Sequence, residues 1–350
     1  MPSVLYVGLQ DADKIAVFAI DEAGKLSKQS EAAAPGGPSV MAVGNGRDVL
    51  YVGQRGGPVI TTFRIDPKTG DLTAAGTAAQ PHAPTFLAPD RSGRFMLVAH
   101  YQGGGAAVFR LAADGSVGAA SQDWLATATG AHAIAADRSN RFAYVPHIAR
   151  VQDNVLEPPK NTPGPNVIMQ FRFDAEAGRL GANTPPQVAQ PDLVGPRHFC
   201  FHPTLDLVYF SSEQGCSVVA YRINQDGGLA SLQTISTLPG GFEGRNTCSQ
   251  IHLTPSGWFL YVGNRGHNSI AGFRVAPETE LLTPSGHVDT EPVPSAFCLD
   301  PEGKFLFAAG TASGRLASYR IDGERGTLTP LAVQDAGPRP AALAAVSLGG

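Results

Sequence analysis

Short hydrophobic runs that close on a small or polar residue recur along this chain: "VLYVGLQ", "VLYVGQR", "MLVAHYQ", "AYVPHIA", "VYFSSEQ", "LYVGNRG" and "LFAAGTA". Each is followed by a segment of the type "KIAVFAID", "VITTFRID", "AAVFRLA", "VIMQFRFD", "SVVAYRIN", "SIAGFRVA" or "RLASYRID". Their alternation predicts half-buried strands rather than helices. A Gly turn comes next in most of them, as in "EAGKL", "KTGDL", "ADGSV", "EAGRL" and "QDGGL". Such turns need a positive φ, which glycine adopts without steric cost. The best-matched positions are Tyr6, Tyr51, Leu97, Tyr144, Tyr209, Tyr261 and Phe307. They are spaced roughly 45 to 52 residues apart, with one interval of about 65, the period of a strand-only repeat. The pattern predicts an all-β, seven-bladed β-propeller.

A further strand per repeat is predicted at "PSVMAVG", "PTFLAPD", "AHAIAAD", "PRHFCFH", "CSQIHLT", "PSAFCLD" and "PAALAAVSL". These read as inner strands lining a channel. The last lies at the C-terminus, while the first middle strand lies at the N-terminus. The two ends are therefore expected to pair in one blade, closing the ring and removing exposed sheet edges. No linker or charge run divides the chain, so residues 1–350 read as a single domain. Blade four alone is interrupted, by the Pro-rich stretch "RVQDNVLEPPKNTPGP" within residues 148–166. An insertion of this length is either a binding loop or a solvated excursion.

Composition narrows the function. The 41 glycines and 28 prolines are spread between strands, so they mark turns and not disorder. A net charge of −4 with no basic block gives nucleic-acid binding no electrostatic support. The sequence opens directly on a strand, and no run is apolar enough for a membrane span, so a cytoplasmic protein is expected. Cys200, Cys216, Cys248 and Cys298 form no CxxC pair and read as reduced thiols. No ligand spacing suggests a metal, and no cofactor is expected. Ring closure argues for a monomer.

In a propeller, the starts of inner strands and the ends of middle strands gather on one face. The strand ends offer Gln54, His100, His147, Glu213, Asn264 and Arg265; the inner-strand starts offer Ser39, His132, Arg197, His198, Ser249, Gln250 and Ser295. Two arginines, a carboxylate and several histidines concentrated in blades three to six suit an anionic, oxygen-rich ligand. Plainer readings stand beside this one. Arg197 could cap a loop carbonyl, Arg265 could serve its turn, Glu213 could pair with either arginine, and His147 could be a satisfied buried histidine. His198, His202 and His252 have strand positions that suit packing, and His82 and His287 read as loop residues.

The segments "GPRHFCFHP", "SQIHLTPSGWFLYVGNRGHNSIAGFRV" and "VAHYQGGGAAVFRL" resemble the seven-bladed propeller lactonase family. That family includes bacterial 6-phosphogluconolactonases and the fungal 3-carboxy-cis,cis-muconate lactonizing enzyme. The resemblance runs over essentially the whole chain. From the muconate enzyme it implies a catalytic set of His147, Arg197, Glu213 and Arg265, with His100, His132, Gln250, Asn264 and His198 as candidate substrate-binding residues. The implied activity is metal-free hydrolysis of a small anionic sugar-acid lactone, with 6-phosphogluconolactone as lead. Glu213 or His147 would activate water, and the arginines would hold the substrate anion or stabilise the oxyanion. A histidine at 147 also leaves a carboxymuconate-type cycloisomerase open. A binding propeller of the WD-repeat kind is a third reading, although Trp124 and Trp258 lie outside any "GH…WD" signature.

Overall fold

The recurrent hydrophobic runs are the second strands of seven four-stranded antiparallel sheets. The computed structural model describes residues 2–148 and 164–349. Most of the predicted 148–166 insertion therefore lies outside the described residues. In blade one, Pro340–Ser347 is the inner strand, followed outward by Ser3–Leu9, Lys14–Ile20 and Leu26–Ala33. Ser3 pairs with Ser347 and Val7 with Leu343, so the two ends of the chain do close the ring.

The period of two explains why the middle strands read as unbroken apolar runs. Val4 and Tyr6 of blade one face Leu50, Val52 and Phe63 of blade two. Leu5, Val7 and Leu9 face the other way, against Phe305, Phe307 and Ala309 of blade seven. Both faces of a middle strand are thus covered, and neither can be polar. The same division generates seven hydrophobic clusters, one at each boundary between blades.

The repeat's tyrosines add a polar clasp across these boundaries. Tyr6, Tyr144 and Tyr261 donate their hydroxyls to the carbonyls of Gly70, Gly227 and Gly326 in the next blade, at 2.8, 2.9 and 2.9 Å. Tyr51 does the same to Gly115 at 2.7 Å. A buried hydroxyl needs such a partner, and the turn glycine provides one.

Two expectations need amendment. Closure pairs the terminal strands but leaves each sheet an edge along its outer strand. Every outer strand carries a register shift against its neighbour, a device that spoils edge-to-edge pairing. The inner strand of blade four is short, Ala135–Ala136 plus an isolated bridge from Ala131 to His147. Pro146 in the facing strand has no N–H to donate, so the ladder breaks there, although its carbonyl still accepts from the His132 N–H at 3.0 Å.

Candidate active site

Register brings strand starts and strand ends together on one face. Pro38 pairs with Gln54, Pro196 with Ser212, Pro294 with Gly310 and Thr247 with Arg265. One step into the inner strand, the ladder of blade five bulges between Pro196 and Phe199, leaving Arg197 and His198 outside regular pairing. Ser211 repairs the gap. Its Oγ accepts the His198 N–H at 3.3 Å and lies 3.3 Å from the His198 carbonyl and 3.1 Å from that of Ser249. Such a bulge re-aims side chains at the rim of a sheet, and here it carries Arg197.

Arg197 meets Glu213 and Arg265 at the boundary of blades five and six. Arg197 Nε donates to Glu213 Oε2 at 2.8 Å, and Arg265 Nη2 lies 2.9 Å from the same oxygen. Arg265 Nη2 also donates to the Cys248 carbonyl at 2.7 Å. The Glu213 backbone is fixed from both sides: its N–H donates to the Gly195 carbonyl at 2.7 Å, and its carbonyl accepts from the Cys248 N–H at 2.9 Å. Gly266 permits the turn after Arg265. Its φ is +134°, and a Cβ there would stand 2.1 Å from the Arg245 carbonyl oxygen. Side-chain exposure is graded, at 10% for Arg197, 1% for Arg265 and 0% for Glu213. Two guanidiniums against one carboxylate leave an excess positive charge, which favours an anionic ligand.

His198 continues the site toward blades three and four. Its ring lies 4.9 Å from that of His132 and 5.1 Å from Phe86, and His132 lies 5.7 Å from Tyr101. Burial, and then the charge of Arg197, hold His198 well below the usual histidine range, so it stays neutral. It borders the arginine pair as an uncharged aromatic wall.

The other predicted residues divide by register. His147 Nδ1 lies 3.0 Å from the Val145 carbonyl and Nε2 lies 2.9 Å from Thr127 Oγ1. Burial pushes its pKa down to about 4. Asn264 is bound in the same way to an outer strand's exit, its Oδ1 accepting from Thr237 Oγ1 at 2.9 Å and its Nδ2 donating to the Thr237 carbonyl at 2.7 Å. Gln250 Oε1 accepts the Phe297 N–H at 3.0 Å, tying blade six to blade seven. His100 packs 5.3 Å from the Trp124 ring, and burial pushes it down to about 4. The contacts of His147, Asn264, Gln250 and His100 thus run into the scaffold, away from the Arg–Glu cluster. His287 lies on the outer strand Leu281–Asp289 rather than in a loop, and its Nε2 lies 2.9 Å from the Thr237 carbonyl.

One residue of register separates the two groups. The N–H groups of Gln10, Arg55, Ile148, Glu213 and Thr311 all donate to the carbonyl of a residue preceding or opening an inner strand. Tyr101 and Arg265 follow His100 and Asn264 as Glu213 follows Ser212. His147, His100 and Asn264 stand one position earlier, so alternation sends their side chains to the opposite side of the sheet. Arg55 and Tyr101, which share the level of Glu213, were not singled out from sequence. Counting from the repeat positions finds them: Arg55 follows Tyr51, and Tyr101 follows Leu97, at the same spacing as Glu213 follows Tyr209 and Arg265 follows Tyr261.

A family model described as "Lactonase, 7-bladed beta-propeller" matches residues 4–345. A 6-phosphogluconolactonase of Pectobacterium carotovorum subsp. carotovorum is 31% identical over 299 residues, covering 85% of this chain and 84% of that protein. A 6-phosphogluconolactonase of Klebsiella pneumoniae is 33% identical over 300 residues, covering 85% of each. Among solved structures, the periplasmic gluconolactonase PpgL of Pseudomonas aeruginosa superposes with a TM-score of 0.86 at 24% identity over 100% of both chains, a likeness of fold. The match over nearly its whole length, on a ring of seven four-stranded blades, means that this chain belongs to the lactonase family of seven-bladed β-propellers.

Proposed function

We propose that this protein hydrolyses a sugar-acid lactone, with 6-phosphogluconolactone the lead substrate, at the Arg197–Glu213–Arg265 cluster. The carrying observation is the buried Glu213 carboxylate held through one oxygen by two guanidiniums, of which Arg197 is the less deeply buried. The two relatives named 6-phosphogluconolactonase support the substrate class.

Depth of burial separates the roles of the two arginines. Glu213 takes a proton from water as the oxygen adds to the lactone carbonyl. Arg197 stabilises the tetrahedral oxyanion and meets the substrate's anionic group. Arg265, tied to Glu213 and the Cys248 carbonyl, is a positioning residue. Collapse of the intermediate breaks the ring C–O bond, and Glu213 returns its proton to the leaving hydroxyl. The product acid ionises and releases one proton per turnover. His198 and His132 flank the substrate as neutral rings. His147, bound to Val145 and Thr127, supports the strand end in this reading.

The chemistry is read as metal-free and the protein as a monomer. A cytoplasmic location fits four free cysteines. The test is proton release from a panel of freshly made 6-phosphogluconolactone, unphosphorylated aldonolactones and muconolactone, with EDTA present. Hydrolysis of the sugar lactones is expected. Silence on them, with conversion of a muconate to its lactone, would move the assignment to cycloisomerisation.

A further inference from the structure

In five of the seven blades the turn after the middle strand contains a positive-φ residue whose carbonyl accepts the N–H at the exit of that blade's outer strand; Pro58 and Asn166 accept it in blades two and four without a positive φ. The five are Asp13, Gly104, Cys216, Asn268 and Gly314, accepting from Ala34, Thr127, Thr237, Thr290 and Ala336. All five have positive φ, at 54°, 63°, 45°, 57° and 72°. Glycine, Asn and Asp suit this conformation, whereas cysteine gains nothing from it. The turn therefore does not account for Cys216.

Its surroundings do. Cys216 Sγ lies 3.3 Å from Asn246 Nδ2 and 3.3 Å from the Asn246 carbonyl. The same Asn246 amide donates to Asn264 Oδ1 at 3.2 Å, which lies 3.7 Å from Cys248 Sγ, and Cys248 Sγ stands 3.1 Å from Thr237 Oγ1, so both thiols border one polar cluster. Cys216 is half-buried and follows the exposed Gly215, while Cys248 is fully buried. The neighbouring Cys248 thiol, then Asn246 and the Arg265 charge, lower the Cys216 pKa, and burial raises that of Cys248. A half-buried thiol sharing a polar cluster with a fully buried one is the arrangement of a peroxidatic and a resolving cysteine.

We propose that Cys216 and Cys248 are a redox-active thiol pair that a hydroperoxide converts to an intramolecular disulfide. The Cys216 thiolate attacks the O–O bond, forming a sulfenic acid and releasing, after protonation, water or an alcohol. Cys248 then attacks the sulfenic sulfur, an S–S bond forms, and water leaves. Two thiols are oxidised and one hydroperoxide is reduced. The Cys248 N–H donates to the Glu213 carbonyl and its own carbonyl accepts from Arg265. Drawing Cys248 toward Cys216 therefore displaces the groups that hold the active carboxylate, and lactone turnover falls. That last step rests on the function proposed above.

The full-length protein is treated with hydrogen peroxide, its remaining thiols are alkylated, and the peptides are analysed by mass spectrometry alongside turnover. A Cys216–Cys248 cross-link is expected, reversed by dithiothreitol, with Cys200 and Cys298 alkylated throughout. Cys216→Ser removes the link, and Cys248→Ala leaves a sulfenic acid at Cys216 that dimedone traps. Turnover falls about tenfold or more on oxidation and returns on reduction. Absence of the link, or advance of Cys216 to sulfinic acid with Cys248 still alkylatable, overturns the pair. A link with unchanged turnover keeps the pair and overturns its coupling to Arg265. Because the cross-link is read without substrate, it stands or falls separately from the lactonase reading.

Discussion

Arg265 and Glu213 close different blades, yet Arg265 Nη2 lies 2.9 Å from Glu213 Oε2, with both side chains out of solvent. Whatever its part in the proposed chemistry, the pair is a contact between blades, and Arg265 also binds the Cys248 carbonyl. Removing Glu213 strands Arg265, whereas removing Arg265 still leaves the buried carboxylate its bond to Arg197. Arg265→Ala should cost about 3–5 kcal/mol of stability, the usual consequence of breaking a buried ion pair. Calorimetric melting checks this; an unchanged Tm would mean that the pair is not buried in solution.

Arg197 should behave differently, being the more exposed partner. Arg197→Lys keeps the charge but loses the planar fork, and is expected to lower kcat about a hundredfold while shifting Tm little. Full activity in this variant would remove Arg197 from the oxyanion's surroundings.

The tyrosine clasp predicts a difference between blades. Tyr144 donates to the Gly227 carbonyl at 2.9 Å. Among the described residues the hydroxyl of Tyr209, its counterpart in blade five, has no partner. Tyr144→Phe should therefore cost about 1 kcal/mol or more, and Tyr209→Phe close to nothing. Paired denaturation curves with equal losses would contradict the clasp.

Stability should fall as the solution is acidified. Burial holds His100, His147 and His252 down to about 4, against an ordinary value of 6.5. Their folded forms stay neutral while the unfolded chain takes up protons below pH 6.5. The native state is thus fully favoured above that value and loses ground between pH 6.5 and 4, by about 1.4 kcal/mol per pH unit for each such histidine. Melting curves across this range check it, and His100→Phe should flatten the slope by one group's share.

The architecture was legible because one physical constraint repeats: a middle strand covered on both faces must be apolar throughout. Tyr6 and Tyr144 marked the period because their hydroxyls clasp the next blade. The site was legible only in part. Arg197, Glu213 and Arg265 stood out as ionisable groups at strand ends, and they do converge. His147 and Asn264 are polar residues at nearly the same place, but one residue of register turns them toward Thr127 and Thr237. Residue type does not encode that phase. The bulge that re-aims Arg197 is a backbone event, filled by a serine that could equally have been an ordinary strand residue.

The most direct test is hydrolysis of 6-phosphogluconolactone by the wild type and by Glu213→Gln, followed by proton release in the presence of EDTA. Glutamine keeps the shape of the side chain and removes the charge that accepts the water proton. A loss of about a hundredfold or more in kcat, in a protein that still melts cooperatively, is the predicted result. Undiminished hydrolysis by the glutamine variant would contradict the account, leaving the Arg–Glu cluster a bolt between two blades and placing the chemistry elsewhere.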